Sequence, residues 1–242
     1  MPEMFGPRHE HRIGFILRET ARISRGGRLL EAAVGLGQMA RRLSDQGHRV
    51  FGIDGSLEAA RFVKRNSPVP AVVGDITRLP FRDGTFRIVT SGETLEHIPD
   101  DGAAAREIGR VLESDGICVV TVPALEILRN PSDTYYEHLR RYSRRNLSEL
   151  FERAGVTVVR AFFWGFPIVL IYDFLFILPM NFRRRTASVE SDPALRSLAR
   201  AGRSKALVRA VMALFSTDRI FGWFPFGPGL VLVGRKQQTS RS

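Results

Sequence analysis

Only one of the 242 residues is a cysteine, and Cys118 lies inside the apolar run Ile117 to Val122. A single thiol excludes a disulfide framework or a cysteine-based metal site built within the chain, and it fits a reducing compartment. Lysine is nearly as scarce, because only Lys64, Lys205 and Lys236 are lysines among 36 basic residues. A GC-rich genome produces that bias as readily as phosphate binding does, so the net charge of +11 is weak testimony to a function. The first 25 residues lack an apolar stretch ahead of a small-residue cleavage site, so no secretory leader is expected and a cytoplasmic location is.

The charge is also unevenly spread. Residues 1–160 hold 24 basic and 21 acidic side chains, whereas residues 161–242 hold 12 basic and 4 acidic ones. The excess therefore sits in the last third, beside the longest apolar stretch. No aromatic stacking motif or added nucleic-acid module accompanies it, so nucleic acid is not the expected partner.

What the chain has is an alternation. The spacing of Ile13, Ile16, Leu17 and Ala21 predicts a helix over His9 to Ile23. Strands are then predicted at 28–33, 49–53, 71–73, 86–91, 117–122 and 156–163. Helices between them are predicted at 38–46, 56–65, 102–112 and 143–154, the last with Ser143 as N-cap and Gly155 as its stop. Strands alternating with such helices imply crossover units and an α/β, doubly wound, mostly parallel sheet with helices on both faces. The rhythm fails for about 60 residues and resumes with a last strand over Gly229 to Gly234. The division expected is a nucleotide-binding core over 1–163, a helical insertion over 164–228, and a last strand and tail over 229–242.

The strongest local signal is Leu29-Leu30-Glu31-Ala32-Ala33-Val34-Gly35-Leu36-Gly37, an apolar strand entering a glycine turn that opens a helix. Such a turn lets the backbone approach a ligand, and the helix start offers free N–H groups. Asp54 closes the second strand, where a carboxylate accepts ribose hydroxyl hydrogens, and Asp75 follows the third, where one accepts the adenine amino group.

This ordered series resembles the class I S-adenosylmethionine-dependent methyltransferase superfamily. Its elements are Leu29-Leu30-Glu31, Gly35 and Gly37, then Gly52-Ile53-Asp54-Gly55-Ser56, Gly74-Asp75 and Leu79-Pro80-Phe81 with Asp83, Thr85 and Phe86. Within that superfamily it is most similar to the small-molecule branch of ubiquinone and menaquinone methyltransferases. The stretch Glu93-Thr94-Leu95-Glu96-His97-Ile98-Pro99-Asp100 matches the segment after that branch's fourth strand, and the likeness runs from about Ile13 to Phe163. The resemblance implies S-adenosylmethionine as methyl donor and S-adenosylhomocysteine as product. It implies that Glu31, Gly35 and Gly37 surround the methionine part, that Asp54, Gly55 and Ser56 hold the ribose, that Asp75 and Ile76 meet the adenine, and that Ser91 and Gly92 lie near the sulfonium. Ala33 replaces the first glycine of the usual three, and an alanine with negative φ is expected to fit there.

A methyl group on a sulfonium is already a strong electrophile, so no metal is expected, and the chain's task is alignment and exclusion of water. His9 and His11 are spaced i, i+2 and do not share a helix face, so they form no metal pair. A hydroxyl acceptor calls for a base within hydrogen-bond reach, and the candidates are His97, His138 and Tyr135, with Glu96, Tyr136 and Glu137 beside them. Asp133, His138 and Arg140-Arg141-Tyr142 resemble a loop pattern of a bacterial subgroup. Two readings of that loop stay open: groups facing an acceptor, or arginine–carboxylate fastening with Tyr142 packed inward.

The stretch from Phe162 to Met180 is strongly apolar and is followed by Arg183-Arg184-Arg185, but Asp173 interrupts it and argues against a membrane span. A lid over an apolar acceptor pocket, a homodimer face and peripheral contact at the inner face of the membrane remain as its occupations. Each points to a hydrophobic small-molecule acceptor, a lipid, quinone or natural-product intermediate, with oxygen favoured over carbon. The rival readings are an RNA or protein methyltransferase and a non-catalytic cofactor-binding scaffold.

Overall fold

The computed structural model describes residues 6–23, 26–184 and 204–238. Seven strands form one sheet in the order β3-β2-β1-β4-β5-β7-β6. They are β1 (Arg28–Ala32), β2 (Arg49–Asp54), β3 (Ala71–Val73), β4 (Phe86–Gly92), β5 (Leu112–Pro123), β6 (Val156–Trp164) and β7 (Gly229–Lys236). The first five run parallel, and β7 enters antiparallel between β5 and β6. The chain reverses direction between β1 and β4, so β2 and β4 lie on opposite sides of β1 and a crevice opens at the strands' carboxyl ends. Ligands of open α/β sheets bind at such a switch point.

The helices follow from apolar stripes and caps. α1 (Pro7–Ala21) starts two residues before its predicted position, because Pro7 fits the first helical turn, where its missing N–H costs nothing. α2 (Gln38–Asp45) and α3 (Leu57–Asn66) follow, with Ser56 accepting from Ala59 N to cap α3. Asp100 caps α4 (Asp101–Val111) in the same way. A short α5 (Pro131–Tyr135), absent from the sequence reading, is held by a capping box between Asn130 and Asp133. α6 (Arg144–Arg153) has Ser143 as its N-cap, and the chain leaves it through Gly155 at φ 75°.

Both sheet faces are covered. One core joins Leu30, Val89 and Val120 to Ile108 of α4 and Phe151 of α6. The other joins Leu29, Ile88 and Val119 to Ile13 and Ile16 of α1 and Met39 of α2. β5 is longer than the run Ile117 to Val122, since its first residues pair with β4 across a register irregularity.

After β6 the chain enters α7 (Ile168–Tyr172), widens into a π-helical turn over Asp173–Ile177, and continues as α8 (Leu178–Arg184). α9 (Lys205–Ser216) precedes β7. Val169 and Phe215 belong to the second core, and buried Asp218 accepts from Ile168 N at 2.8 Å and Val169 N at 3.1 Å. The two ends of the insertion are thus fastened to each other and to the sheet. No helix among the described residues is long and apolar enough to cross a membrane. The arginine run 183–185 extends past the described residues.

Candidate active site

The carboxyl ends of β1 and β2 bring the glycine turn against Asp54. One oxygen of Asp54 accepts from Gly35 N at 2.8 Å and the other from Ser56 N at 2.9 Å, so the carboxylate is pinned with lone pairs to spare on both oxygens. Gly35 and Gly37 have φ of 52° and 71°. Gly37 is packed as well as left-handed, since a Cβ there would lie 3.0 Å from Val63. Asp75 is exposed just beyond β3 and accepts from Thr77 N at 2.8 Å, a bond that lowers its pKa, while Ile76 is buried.

Ala33 departs from expectation. Its φ is 66°, not negative, so the methyl group stands in the left-handed region that favours glycine. Ala33→Gly is expected to stabilise the fold by about 0.5–1 kcal/mol, the relief of left-handed strain offset by glycine's greater freedom when unfolded. Urea unfolding would show this as a raised midpoint; an unchanged or lowered one would mean that the turn carries no strain.

Glu31 is buried within β1, and its Oε2 has no hydrogen-bond partner among the described residues. Burial, then the charge of Asp54, raises its pKa well above the usual carboxylate range. Ser91 Oγ on β4 and Thr121 Oγ1 on β5 are likewise buried without partners. These three atoms lie at the carboxyl ends of the neighbouring strands β1, β4 and β5. Gly92 lies under α1 and α2, where a Cβ would be 3.5 Å from Ile16 and 3.8 Å from Met39. Arg12 of α1 pairs with Glu93 at 3.5 Å, both side chains nearly enclosed. Sequence reasoning missed this pair, because the only signal was a charge on the buried side of a helix.

The loops after β4 and β5 meet. Leu139 N donates to Glu96 O, and Arg140 donates to Pro99 O and pairs with Asp101. Tyr142 is 3% exposed, and its hydroxyl lies 2.8 Å from Asp101 Oδ2, to which it donates, and 3.1 Å from Leu95 O. Arg141 donates to Asp133 at 2.8 Å and to Ala124 O. The loop is therefore fastened by arginine–carboxylate pairs with Tyr142 packed inward, and His138 nonetheless reaches a cavity.

Burial alone would raise the Asp133 pKa, but hydrogen bonds from His138 and Arg141 outweigh it and hold the carboxyl well below its usual range. The ionised carboxylate only accepts, so the 2.9 Å contact fixes the proton on His138 Nδ1 and leaves Nε2 facing away. His97 lies edge-on to His138 with ring centroids 4.9 Å apart, and burial and that neighbour lower its pKa. Tyr135 is 40% exposed, while its neighbour Tyr136 lines the cavity.

The cavity holds about 330 Å³. Its apolar wall is Leu170, Phe174, Ile177 and Leu178 of the insertion, and its polar wall includes Arg8, Tyr136 and His138. Arg8 pairs with Asp173, the first residue of the π-helical turn, at 3.0 Å. Such turns occur often at functional sites.

A doubly wound sheet with an antiparallel seventh strand and a glycine turn against a strand-end carboxylate make the crevice a candidate nucleotide-type cofactor site. Residues 30–120 match the model of the methyltransferase domain family. A demethylmenaquinone methyltransferase of Corynebacterium kroppenstedtii is 34% identical over 119 residues, 48% of this chain and 50% of that protein. One of Mycolicibacterium vanbaalenii is 32% identical over 128 residues, 51% and 54% of the two chains. The chain spans about half the length of the curated relatives it matches. Among solved structures, a chain from the Haloferax volcanii complex of the Trm112 methyltransferase activator aligns over 96% of this chain and 91% of its own, with a TM-score of 0.66 and 22% identity. The [4+2]-cyclase SpnF aligns over 95% and 82%, with a TM-score of 0.62 and 19% identity. These two share the fold. Over residues 30–120 the chain thus matches the methyltransferase domain family, and over about half its length it is similar to the demethylmenaquinone methyltransferases.

Proposed function

We propose that the protein transfers a methyl group from S-adenosylmethionine to a hydrophobic small molecule, with oxygen favoured over carbon as the acceptor atom. The observation that carries this reading is the 330 Å³ cavity between the fastened loop and the apolar insertion, within the size range of small-molecule sites. The bound cofactor would supply an electrophilic methyl group on a sulfonium. Asp54 would hold the ribose through the lone pairs that Gly35 and Ser56 leave open. Buried Glu31 would receive the ammonium of the methionine part, Gly35 and Gly37 would admit its chain, and Ser91 and Gly92 would border the sulfonium. Asp75 and Ile76 would meet the adenine. His138, oriented by Asp133, would accept the proton of an acceptor hydroxyl at Nε2, with His97 beside it. Tyr135, exposed and outside the cavity lining, has no part in this transfer.

The insertion also exposes Phe174 (69%), Ile220 (72%) and Trp223 (78%). These groups support a peripheral position at the inner face of a membrane that dissolves a greasy acceptor, with a homodimer face as the alternative. Sedimentation with and without anionic vesicles separates the two.

Calorimetric titration with S-adenosylmethionine and S-adenosylhomocysteine, followed by transfer of labelled methyl to apolar acceptors, tests the reading. Glu31→Gln is its control. Because burial raises the Glu31 pKa, folding binds a proton there, and stability falls as pH rises from the ordinary carboxylate range through the raised value. The amide removes that cost, so the variant should be more stable at neutral pH, by about 1 kcal/mol or more, and bind cofactor at least about tenfold more weakly. Cofactor affinity unchanged in Glu31→Gln, or no binding to folded wild-type protein, would overturn the assignment.

A further inference from the structure

The two histidines and the buried glutamate after β4 form a group that methyl transfer does not by itself require. Glu96 Oε1 lies 3.9 Å from His97 Nε2 and 4.0 Å from His138 Nε2, and one donor atom of each residue lies within 4.8 Å of the others. Glu96 is fully enclosed, His138 nearly so, and the His97 side chain is 38% exposed. The residues come from two loops that are fastened to each other, so the arrangement is positioned independently of any ligand.

We infer that Glu96, His97 and His138 form a binding site for one divalent transition cation, of the zinc, cobalt or manganese class, at the edge of the acceptor cavity. Two imidazole nitrogens and one carboxylate oxygen are the donor set of catalytic zinc sites, which keep a further position open. Closing on an ion at roughly 2.0–2.2 Å requires each donor to move by only a few tenths of an ångström. The support behind the donors is of the right kind. Metal-bound imidazoles commonly donate their other ring N–H to a carboxylate, and His138 Nδ1 donates to Asp133 at 2.9 Å, turning Nε2 toward Glu96. Asp133 is held in turn by Arg141 and by Asn130 N.

The sequence expectation was of no metal; spacing alone does not bring these residues together, because no two of them form a helical i, i+4 pair and His138 arrives from a distant loop. The site stands on geometry alone. Its use in the reaction rests on the proposed methyl transfer, where a cation in this place would bind the acceptor oxygen and favour its ionised form, the hydroxyl proton passing to solvent water, and His138 would serve as a ligand in place of a base.

The test uses untagged full-length protein, stripped with chelator and dialysed against Zn²⁺ or Co²⁺ without cofactor or acceptor. Elemental analysis should give about one ion per chain, and bound Co²⁺ should show visible absorption bands of low coordination number. His97→Ala, at the most exposed of the three positions, should weaken binding at least about tenfold and change the Co²⁺ spectrum. Glu96→Gln should do the same, with circular dichroism reporting that each variant is folded. Failure of folded wild-type protein to bind either ion at micromolar concentration would overturn the site. So would binding unchanged in both variants, which would assign the ion to His9, His11 or His48. Metal binding without any methyl transfer would leave the site standing and refute only its use in that reaction.

Discussion

Asp133→Ala is expected to lower the free energy of unfolding by about 3–5 kcal/mol, the usual cost of removing one partner from a buried ion pair. Arg141 is 6% exposed in its side chain and would keep only the Ala124 carbonyl of the contacts described above. Asn130 N would lose the acceptor that closes the capping box of α5, and His138 would lose the group that orients its ring. For a chain of this size the melting temperature should fall by roughly 6–20 °C. The effect has a defined pH dependence. The folded-state pKa of Asp133 is depressed, so its contribution is fully present above the ordinary carboxylate value near about 4 and is lost as pH falls through the lower folded value. Thermal denaturation of wild type and variant should therefore differ by a constant amount from neutral pH down to about 5 and converge only under strongly acid conditions. Equal melting temperatures at neutral pH would mean that the loop is not what fastens this end of the sheet.

Asp54→Ala carries the largest expected effect on binding. Two hydrogen bonds from a ribose to a charged acceptor contribute about 1.5–3 kcal/mol each, so cofactor affinity should fall by on the order of a hundred-fold or more. The substitution also releases Gly35 N and Ser56 N, which the carboxylate now holds, and the glycine turn keeps only the bond from Val34 N to Ile53 O as its tie to β2. Asp54→Asn separates the two losses, because an amide oxygen still accepts one N–H. Titration should rank wild type above the asparagine variant and the asparagine variant above alanine, while the melting temperatures of the three stay close. A full-affinity alanine variant would move the ribose away from this carboxylate.

The sheet was legible because its signals are local. Apolar runs such as Leu29–Ala32 and Val119–Val122 alternate with capped helices, and Ser56, Asp100 and Ser143 each occupy an N-cap with its bond formed. The placement of Glu31, Asp54 and Asp75 near the ends of successive strands was legible for the same reason. Ala33 was misjudged because its backbone angle is imposed by Val34 N donating to Ile53 O and Gly35 N donating to Asp54, contacts made across two strands. The Arg12–Glu93 pair and the grouping of Glu96, His97 and His138 depend on how loops and helices from separate parts of the chain close together. Spacing within one segment carries no trace of them. The cavity wall was legible only as a composition, an apolar stretch broken by Asp173, whose role as partner of Arg8 requires α1 to lie across the insertion.

Under the proposed methyl transfer, that crossing bears on how donor and acceptor meet the protein. Arg8 and Arg12 are one turn apart on α1; the first holds the π-helical turn over the cavity and the second holds Glu93 at the end of β4. α1 thus reaches both the cavity, which Arg8 lines, and the residue that follows β4. Whatever firms that helix from one side lowers the entropy still to be lost on the other, so cofactor and acceptor should each tighten the other's hold by the same factor.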